Sequence, residues 1–411
     1  MVGRRSFRGG AWTWGMRNLE EDVMHTLYLL GNGFDLACGL PSHYSDYFND
    51  RFSEFDGFEK EKPTALESLR NEFKDNGRRN IPSVWFFVFA YYHDQCKEYA
   101  PTWKDVESNI EEFVTGNRGF SVNEIAWKKK KSKNFLRGYE GESIRLICDY
   151  LWGDRETDDD DADVWRVFLK GLRDFETDFC NYLREAVKKK ADYRSRANEL
   201  FGSIRDAVIP IQIINDDESP DEDDDEDGLN VFIKFEYALS FNFTDPRLQQ
   251  YDLRFANVHG SLRDGNAFFG IGDVKSSPDE ACTARFTKAE RSLSLGVAGD
   301  NTELDSVFRG LQSVGHVNVI KFFGLSLGEA DYPYLKQYFD KADITKTNAG
   351  VNSFLGFYYT STQNRNDLIN SIDMLLRRYS DDTGYKPVGG LMHELLHTGR
   401  LTVQKLELPA V

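Results

Sequence analysis

Thr26-Leu-Tyr-Leu-Leu-Gly-Asn-Gly-Phe-Asp-Leu-Ala-Cys-Gly-Leu-Pro41 is the stretch from which the rest of the chain is read. Its apolar run, Leu27 to Leu30, has no helical spacing and breaks abruptly into Gly31-Asn32-Gly33. A buried strand that ends in a glycine turn and enters a helix is how α/β proteins present backbone N–H groups to a phosphate. Glycine tolerates positive φ in such a turn and lets another group approach the main chain. Asp35 falls near the start of the next helix, where a carboxylate suits the positive end of the dipole. Gly39-Leu40-Pro41 stops that helix almost at once. The dinucleotide fingerprint is partial, because Leu36 stands where a third glycine belongs. On these residues alone, a ligand-binding turn and a plain strand–turn–helix corner both remain open.

Length and composition narrow the class. The 411 residues suffice for a large core, and an aromatic content of 14% favours a filled core over disorder. No apolar run approaches the ~20 residues that cross a bilayer. Arg4, Arg5 and Arg8 are not followed by a secretion-type apolar core. Five scattered cysteines without a Cys-x-x-Cys suggest a reducing cytoplasm and speak against structural zinc. The net charge of −17 comes almost entirely from two acidic segments, 154–163 and 216–227. Consecutive carboxylates repel one another and offer no fixed coordination geometry, so solvated loops explain them better than a cation site. Lys128 to Lys133 and Lys188 to Arg196 are basic counterweights that read as solvated faces, and nucleic acid is not expected as a partner.

Along the chain the hydrophobic period changes twice. Residues 1–23 are Gly- and Arg-rich and lack a period, so they read as a poorly ordered extension with Met24 as the natural start. Ser42 to Phe48 reads as continuing into a helix. Ile81 to Tyr92 reads as a buried helix capped near Ser83, and positions 103, 106, 110 and 113 keep a helical period. Val164 to Leu183 forms a further amphipathic stripe. Beyond the second acidic run, Phe235 to Asn242, Phe268 to Ile271, Val317 to Phe323 and Ser353 to Tyr359 are strand-like, and Arg365 to Tyr379 is a helix. Strands alternating with helices predict a mainly parallel sheet, an α/β Rossmann-like domain. Its first strand lies far upstream of the others, so the helical block is an insertion expected to cap the sheet's carboxyl edge. The expected division is an extension over 1–23, the first part of the Rossmann-like domain over 24–60, a helical insertion with acidic loops over 61–229, the second part over 230–380 and a C-terminal tail over 381–411.

Polar clusters follow the strands: Ser240-Phe-Asn242-Phe-Thr244-Asp245, Val258-His259-Gly260-Ser261 and Gly324-Leu-Ser326-Leu-Gly328-Glu-Ala-Asp331. Turn chemistry explains any one of them. Four in order, counting Gly31 to Asp35, trace the rim of a doubly wound sheet. His393-Glu394-Leu-Leu-His397 matches the zincin pattern on one helical face, but Glu407 is the single carboxylate after it and no histidine follows. A surface helix is the better account.

The combination Gly31-Asn32-Gly33-Phe34-Asp35, Ser240-Phe-Asn242-Phe-Thr244, His259-Gly260 and Gly324-Leu-Ser326-Leu…Asp331-Tyr resembles the AbiH family of phage abortive-infection proteins. That family is distantly similar to SIR2-like, NAD-consuming domains. The resemblance implies a SIR2-like or DHS-like Rossmann fold and NAD as substrate or ligand. It implies His259 as catalytic base and Asn242 as the group that orients ribose or water. Gly31, Asn32, Gly33, Phe34, Asp35, Thr244, Asp245, Gly324 and Ser326 are then the nucleotide-binding residues. An imidazole with an ordinary pKa of about 6.5 suits proton abstraction, and an amide both donates and accepts. The zinc-binding cysteines of the deacylases are missing, so deacylation is not implied and no metal is expected. Ser42-His43-Tyr44 replaces the sirtuin Asp-Phe-Arg at the nicotinamide end. The implied activity is NAD hydrolysis in the infected cell, set off by a phage trigger in a cytoplasmic homo-oligomer away from membranes. The alternative is a non-catalytic nucleotide sensor that signals to a partner effector.

Overall fold

A computed structural model of the chain describes residues 23–52, 64–95, 106–116, 120–129, 138–153, 164–207, 233–248, 250–272, 280–297, 302–314, 316–346 and 353–407. The extension over 1–22 and both acidic segments lie outside these residues. The strands are β1 (Val23–Leu30), β2 (Ile233–Ser240), β3 (Arg254–Asn257), β4 (Val319–Phe323), β5 (Phe354–Tyr359) and β6 (Leu401–Lys405). They form one parallel sheet in the order β3-β2-β1-β4-β5-β6. The α/β, Rossmann-like expectation therefore holds. The sequence reading had no strand at β6, a short, half-buried edge strand. It had none at β3 either, and Phe268 to Ile271, which it read as strand-like, is not a strand. Only Ile271 forms a bridge, to Thr287. The side chains there serve two cores, Phe268 in the sheet's core and Phe269 and Ile271 in that of the helical block, so the segment is a seam between layers.

Between β1 and β2 run α1 (Asn32–Ala37), α2 (Tyr44–Phe52), α3 (Ala65–Asn76), α4 (Trp85–Gln95), α5 (Val106–Thr115), α6 (Val122–Lys129), α7 (Gly138–Trp152), α8 (Val164–Lys189) and α9 (Tyr193–Asp206). After β3 come α10 (Glu280–Ala284), α11 (Lys288–Ser294) and α12 (Thr302–Ser313). Then follow α13 (Tyr332–Ala342), α14 (Thr362–Thr383) and α15 (Leu391–His397). No helix among the described residues is long and apolar enough to cross a membrane.

β1 is apolar on both faces because both are covered, as parallel sheets require. Leu27 and Leu29 point into a core with Leu239, Ile320, Phe322, Leu355 and Phe357 of the sheet and the apolar stripes of α12 to α15. Tyr28 and Leu30 point the other way, against Phe34 of α1 and Tyr193, Leu200 and Phe201 of α9. The buried Lys321 of β4 supports α9 from below, donating to the carbonyls of Ile204, Arg205 and Ala207 at 2.9, 2.7 and 2.9 Å. These carbonyls belong to the last turn of α9, which lacks intrahelical donors. A third core, rich in aromatics from Tyr47, Phe48, Trp85 to Phe89, Phe113, Phe168, Phe175 and Phe179, fills the helical insertion. Ser83 accepts from the Trp85 N–H at 3.2 Å and so starts α4 where the sequence placed its cap.

This strand order reverses direction at β1 and β4, and the crevice of a doubly wound sheet lies outside the carboxyl ends of those strands. Here main chain fills its floor. Gly31 N–H donates to Phe323 O and Gly33 N–H to Gly324 O, both at 2.9 Å. A Cβ on Gly33 would stand 2.5 Å from Gly324 Cα, and one on Gly324, whose φ is +68°, would stand 2.5 Å from Phe34 N. The glycines permit this backbone-on-backbone contact.

Gly31→Ala is expected to cost about 3 kcal/mol of unfolding free energy in urea, because the methyl would press on Gly324 O and Leu325 Cα of main chain. Gly384→Ala, where φ is +72° but nothing lies within 4 Å, is expected to cost about 1 kcal/mol. Equal losses at the two positions would refute close packing as the reason for Gly31.

Candidate functional site

The ends of β1, β2, β3 and β4 bring the sequence-derived residues to one edge of the sheet, where they form two groups. The first surrounds the glycine turn. Asn242, two residues past β2, donates its Nδ2–H to Gly31 O at 3.0 Å. Its Oδ1 is buried without a hydrogen-bond partner. Asn257, the last residue of β3, donates to Asn242 O and Thr244 O at 2.7 and 2.8 Å and so shapes the loop that carries both. Asp35 accepts from Thr244 Oγ1 and Tyr193 OH, each at 2.7 Å, which ties α1 to the β2 loop and to α9. Burial pushes the Asp35 carboxyl up to about 6, although both hydroxyl donors act in the other direction. Both of its oxygens are thus engaged inside the protein.

Other expected binding residues serve the loops themselves. The N–H groups of Gly31, Gly33 and Phe34 bond to Phe323 O, Gly324 O and Gly31 O, so the turn does not present those three donors to a phosphate. Asn32 exchanges side-chain bonds with Ser42, donating to Ser42 O at 3.1 Å and accepting from Ser42 Oγ at 2.6 Å. Asp245 accepts from Arg247 N at 2.9 Å, as a turn aspartate does. Ser326 is exposed on the β4 loop.

The second group centres on His259, two residues past β3 and buried. Its Nε2 lies 3.1 Å from Asp331 Oδ1, in the turn that leads into α13. Phe241, Phe268 and Tyr334 stand edge-on around the ring, with centroids 5.5, 5.7 and 5.6 Å away. An ionised carboxylate only accepts, so Nε2 carries the proton and Nδ1 is left bare. Nδ1 is buried and without a partner. Burial lowers the imidazole's pKa, and the ammonium of Lys288 lowers it further, while Asp331 acts in the opposite direction. The result is a neutral, oriented imidazole with a free lone pair, the state a general base requires.

Sequence reasoning missed two of the charges here, Lys288 and Glu107. Lys288 Nζ contacts Asp331 Oδ1 at 2.5 Å and Glu107 Oε2 at 3.0 Å, and lies 3.3 Å from His259 Nε2. Burial alone would lower the Lys288 pKa, but the two carboxylates outweigh it and hold the group charged. Burial alone would raise that of Asp331, but Lys288 and His259 hold it below the usual carboxylate range. Asp331 stood in the third polar cluster of the sequence. Lys288 carried no signal beyond the Thr287–Glu290 helix start, and Glu107 looked like a polar position on α5.

A cavity of ≈ 480 Å³ opens elsewhere, between α2 and α8, lined in part by Pro41, Arg51, Asp178, Tyr182 and Lys190. None of the switch-point residues lines it. The rings of His393 and His397 are tilted by 41° with centroids 4.1 Å apart, and Glu394 accepts from Tyr385 OH at 3.0 Å. Among the described residues no group of three or more His, Cys, Asp or Glu is placed to hold a metal ion.

The family model described as "Bacteriophage abortive infection AbiH" matches residues 27–353, most of the chain and every residue of both groups. No curated protein and no solved structure matches.

The raised pKa of Asp35 has a signed consequence. The folded state holds this proton to a higher pH than the unfolded chain does, so the group's contribution to stability falls as pH rises from about 4 to about 6. Stability measured relative to Asp35→Asn is expected to fall by about 3 kcal/mol across that window. Parallel pH profiles for the two proteins would show that folding does not raise the Asp35 pKa.

Proposed function

Since the chain belongs to the AbiH family of bacteriophage abortive-infection proteins, we propose that it acts in that defence on NAD or a related nucleotide, taken up at the carboxyl edge of its sheet and hydrolysed there. The observation that carries this reading is the His259–Asp331 pair, with a buried and unpartnered Nδ1 just past the end of β3. The strand order supports it, since sheets wound this way bind ligands outside the carboxyl ends of the strands at the reversal.

In this reading the bond between nicotinamide and ribose C1′ breaks, its electron pair leaves with neutral nicotinamide, and the sugar passes through an oxocarbenium-like state. Water attacks C1′, and His259 Nδ1 takes the water's proton while Asp331 stabilises the imidazolium that forms. The products are nicotinamide, ADP-ribose and a proton. The unpartnered Asn242 Oδ1 is the acceptor that holds a ribose hydroxyl or the water. The glycine turn positions Asn242 through Gly31 O rather than binding phosphate itself, and Ser326 is the exposed hydroxyl of the adjacent loop.

A second reading, a nucleotide sensor without chemistry, draws on the burial of His259 within three aromatic rings. Cellular NAD during phage challenge separates the two. NAD is expected to collapse in cells carrying the wild-type protein and to hold steady with His259→Ala, which also loses protection. Steady NAD with the wild type, with protection intact, would rule out hydrolysis. Protection that survives His259→Ala would favour the sensor.

A further inference from the structure

We propose that Lys288 is the positioning residue that keeps His259 neutral, and that Glu107 of the helical insertion holds Lys288 in that place; this deepens the reading of His259 as a base and rests on it. The argument begins with Asp331. Burial already disfavours charge on the ring, but a carboxylate against one nitrogen of a buried imidazole favours protonation of the other, and Asp331 draws His259 toward imidazolium. An imidazolium has no lone pair and cannot take a proton. The ammonium of Lys288, 3.3 Å from Nε2 and 2.5 Å from the same Asp331 oxygen, supplies the opposing charge.

The charges around His259 come from every side. Asp331 stands in the turn before α13, Lys288 on α11 and Glu107 on α5. Tyr334 of α13 lies edge-on to the ring, and Tyr338, one turn on, has its pKa pushed up first by burial. Neither phenol carries charge near neutral pH. Phe241 and Phe268 close the remaining faces. Lys288 is thus the one positive charge in contact with the imidazole among the described residues. Its ammonium cannot donate to Nε2, because that nitrogen's proton points at Asp331. It acts on the ring by its field and by sharing Asp331.

Glu107 determines whether Lys288 stays there. Its Oε2 pairs with the ammonium at 3.0 Å, and its Oε1 accepts from Gly270 N–H at 3.2 Å. One carboxylate of the insertion therefore clamps both the lysine and the backbone of the seam. A displacement of α5 would free Lys288, and the proton balance at His259 would change with it.

The test is the protonation state of His259, read by 15N NMR on the full chain with labelled histidine and assigned by loss of the signal in His259→Gln. In the wild type at pH 7, Nε2 is expected to be protonated and Nδ1 bare. In Lys288→Met, both nitrogens are expected to be protonated at pH 7, with the ring's titration midpoint at least one pH unit higher. Nicotinamide release, where it is measurable, should fall about tenfold at neutral pH and recover in alkali. Should Lys288→Met not fold, Glu107→Gln/Lys288→Met removes the ion pair together, leaves Asp331 facing His259, and is expected to give the same imidazolium. Glu107→Gln removes the clamp on Lys288, so the ring's midpoint is expected to rise, by less than in Lys288→Met; a midpoint that stays put or falls in Glu107→Gln would overturn the role given to Glu107. A neutral His259 with an unchanged midpoint in both lysine variants, or a proton on Nδ1 in the wild type, would overturn the proposal. The spectrum does not depend on NAD: a chain without hydrolase activity can pass this test, and an active one can fail it.

Discussion

Two carboxylates of the helical insertion hold this molecule together at its functional edge. Glu107 on α5 and Glu176 on α8 reach adjacent backbone amides, those of Gly270 and Phe269, at 3.2 and 2.9 Å. Each also pairs with a base on α11, Glu107 with Lys288 and Glu176 with Arg291. The two bases stand three residues apart and so share a helix face. Burying a charge pays only where a partner and further hydrogen bonds replace water. The four charges here have that compensation only when the insertion, the seam and α11 are in register. Through them the helical block is bound to the segment that follows His259 and to the helix that carries Lys288.

The same constraint explains the electrostatics of the site. Glu107, Lys288, Asp331 and a neutral His259 together carry one net negative charge in a region shielded from water. A positive charge is favoured beside such a group, and a second proton on the imidazole is disfavoured by burial and by the ammonium next to it. The glycine turn contributes shape rather than charge. The N–H groups of Gly31 and Gly33 are spent on Phe323 O and Gly324 O, and the carbonyl of Gly31 orients Asn242.

The architecture was legible because burial on both faces of a parallel sheet leaves apolar runs, as at Leu27 to Leu30 and Phe354 to Tyr358. The ordered polar clusters marked the strand ends, which is why Asn242, Thr244, His259 and Asp331 could be read as edge residues. Phe268 to Ile271 misled because a short apolar segment wedged between two cores has the composition of a strand. β6 was invisible as a half-buried edge strand with polar positions at Thr402, Gln404 and Lys405. Lys288 and Glu107 could not be found from pattern, since their meaning lies in a meeting between α5 and α11, far apart in the chain. The glycine turn was recognised as special, but the close approach it serves is to the β4 loop, a neighbour no local motif encodes.

The position of β1 in the sheet has a kinetic side. Its two neighbours arrive late: Tyr28 meets Glu236 across 208 residues, and His25 meets Asn318 across 293. The central strand, apolar on both faces, is therefore made first and has neither neighbour until β2 and then β4 follow. Closing such loops costs entropy before any ladder is formed, and proteins built on distant pairings fold slowly. On the ribosome the whole aromatic insertion has time to collapse while Leu27 to Leu30 still wait for partners. Once the insertion and α11 are both made, Glu107 on α5 and Glu176 on α8 are the charges that Lys288 and Arg291 of that helix meet.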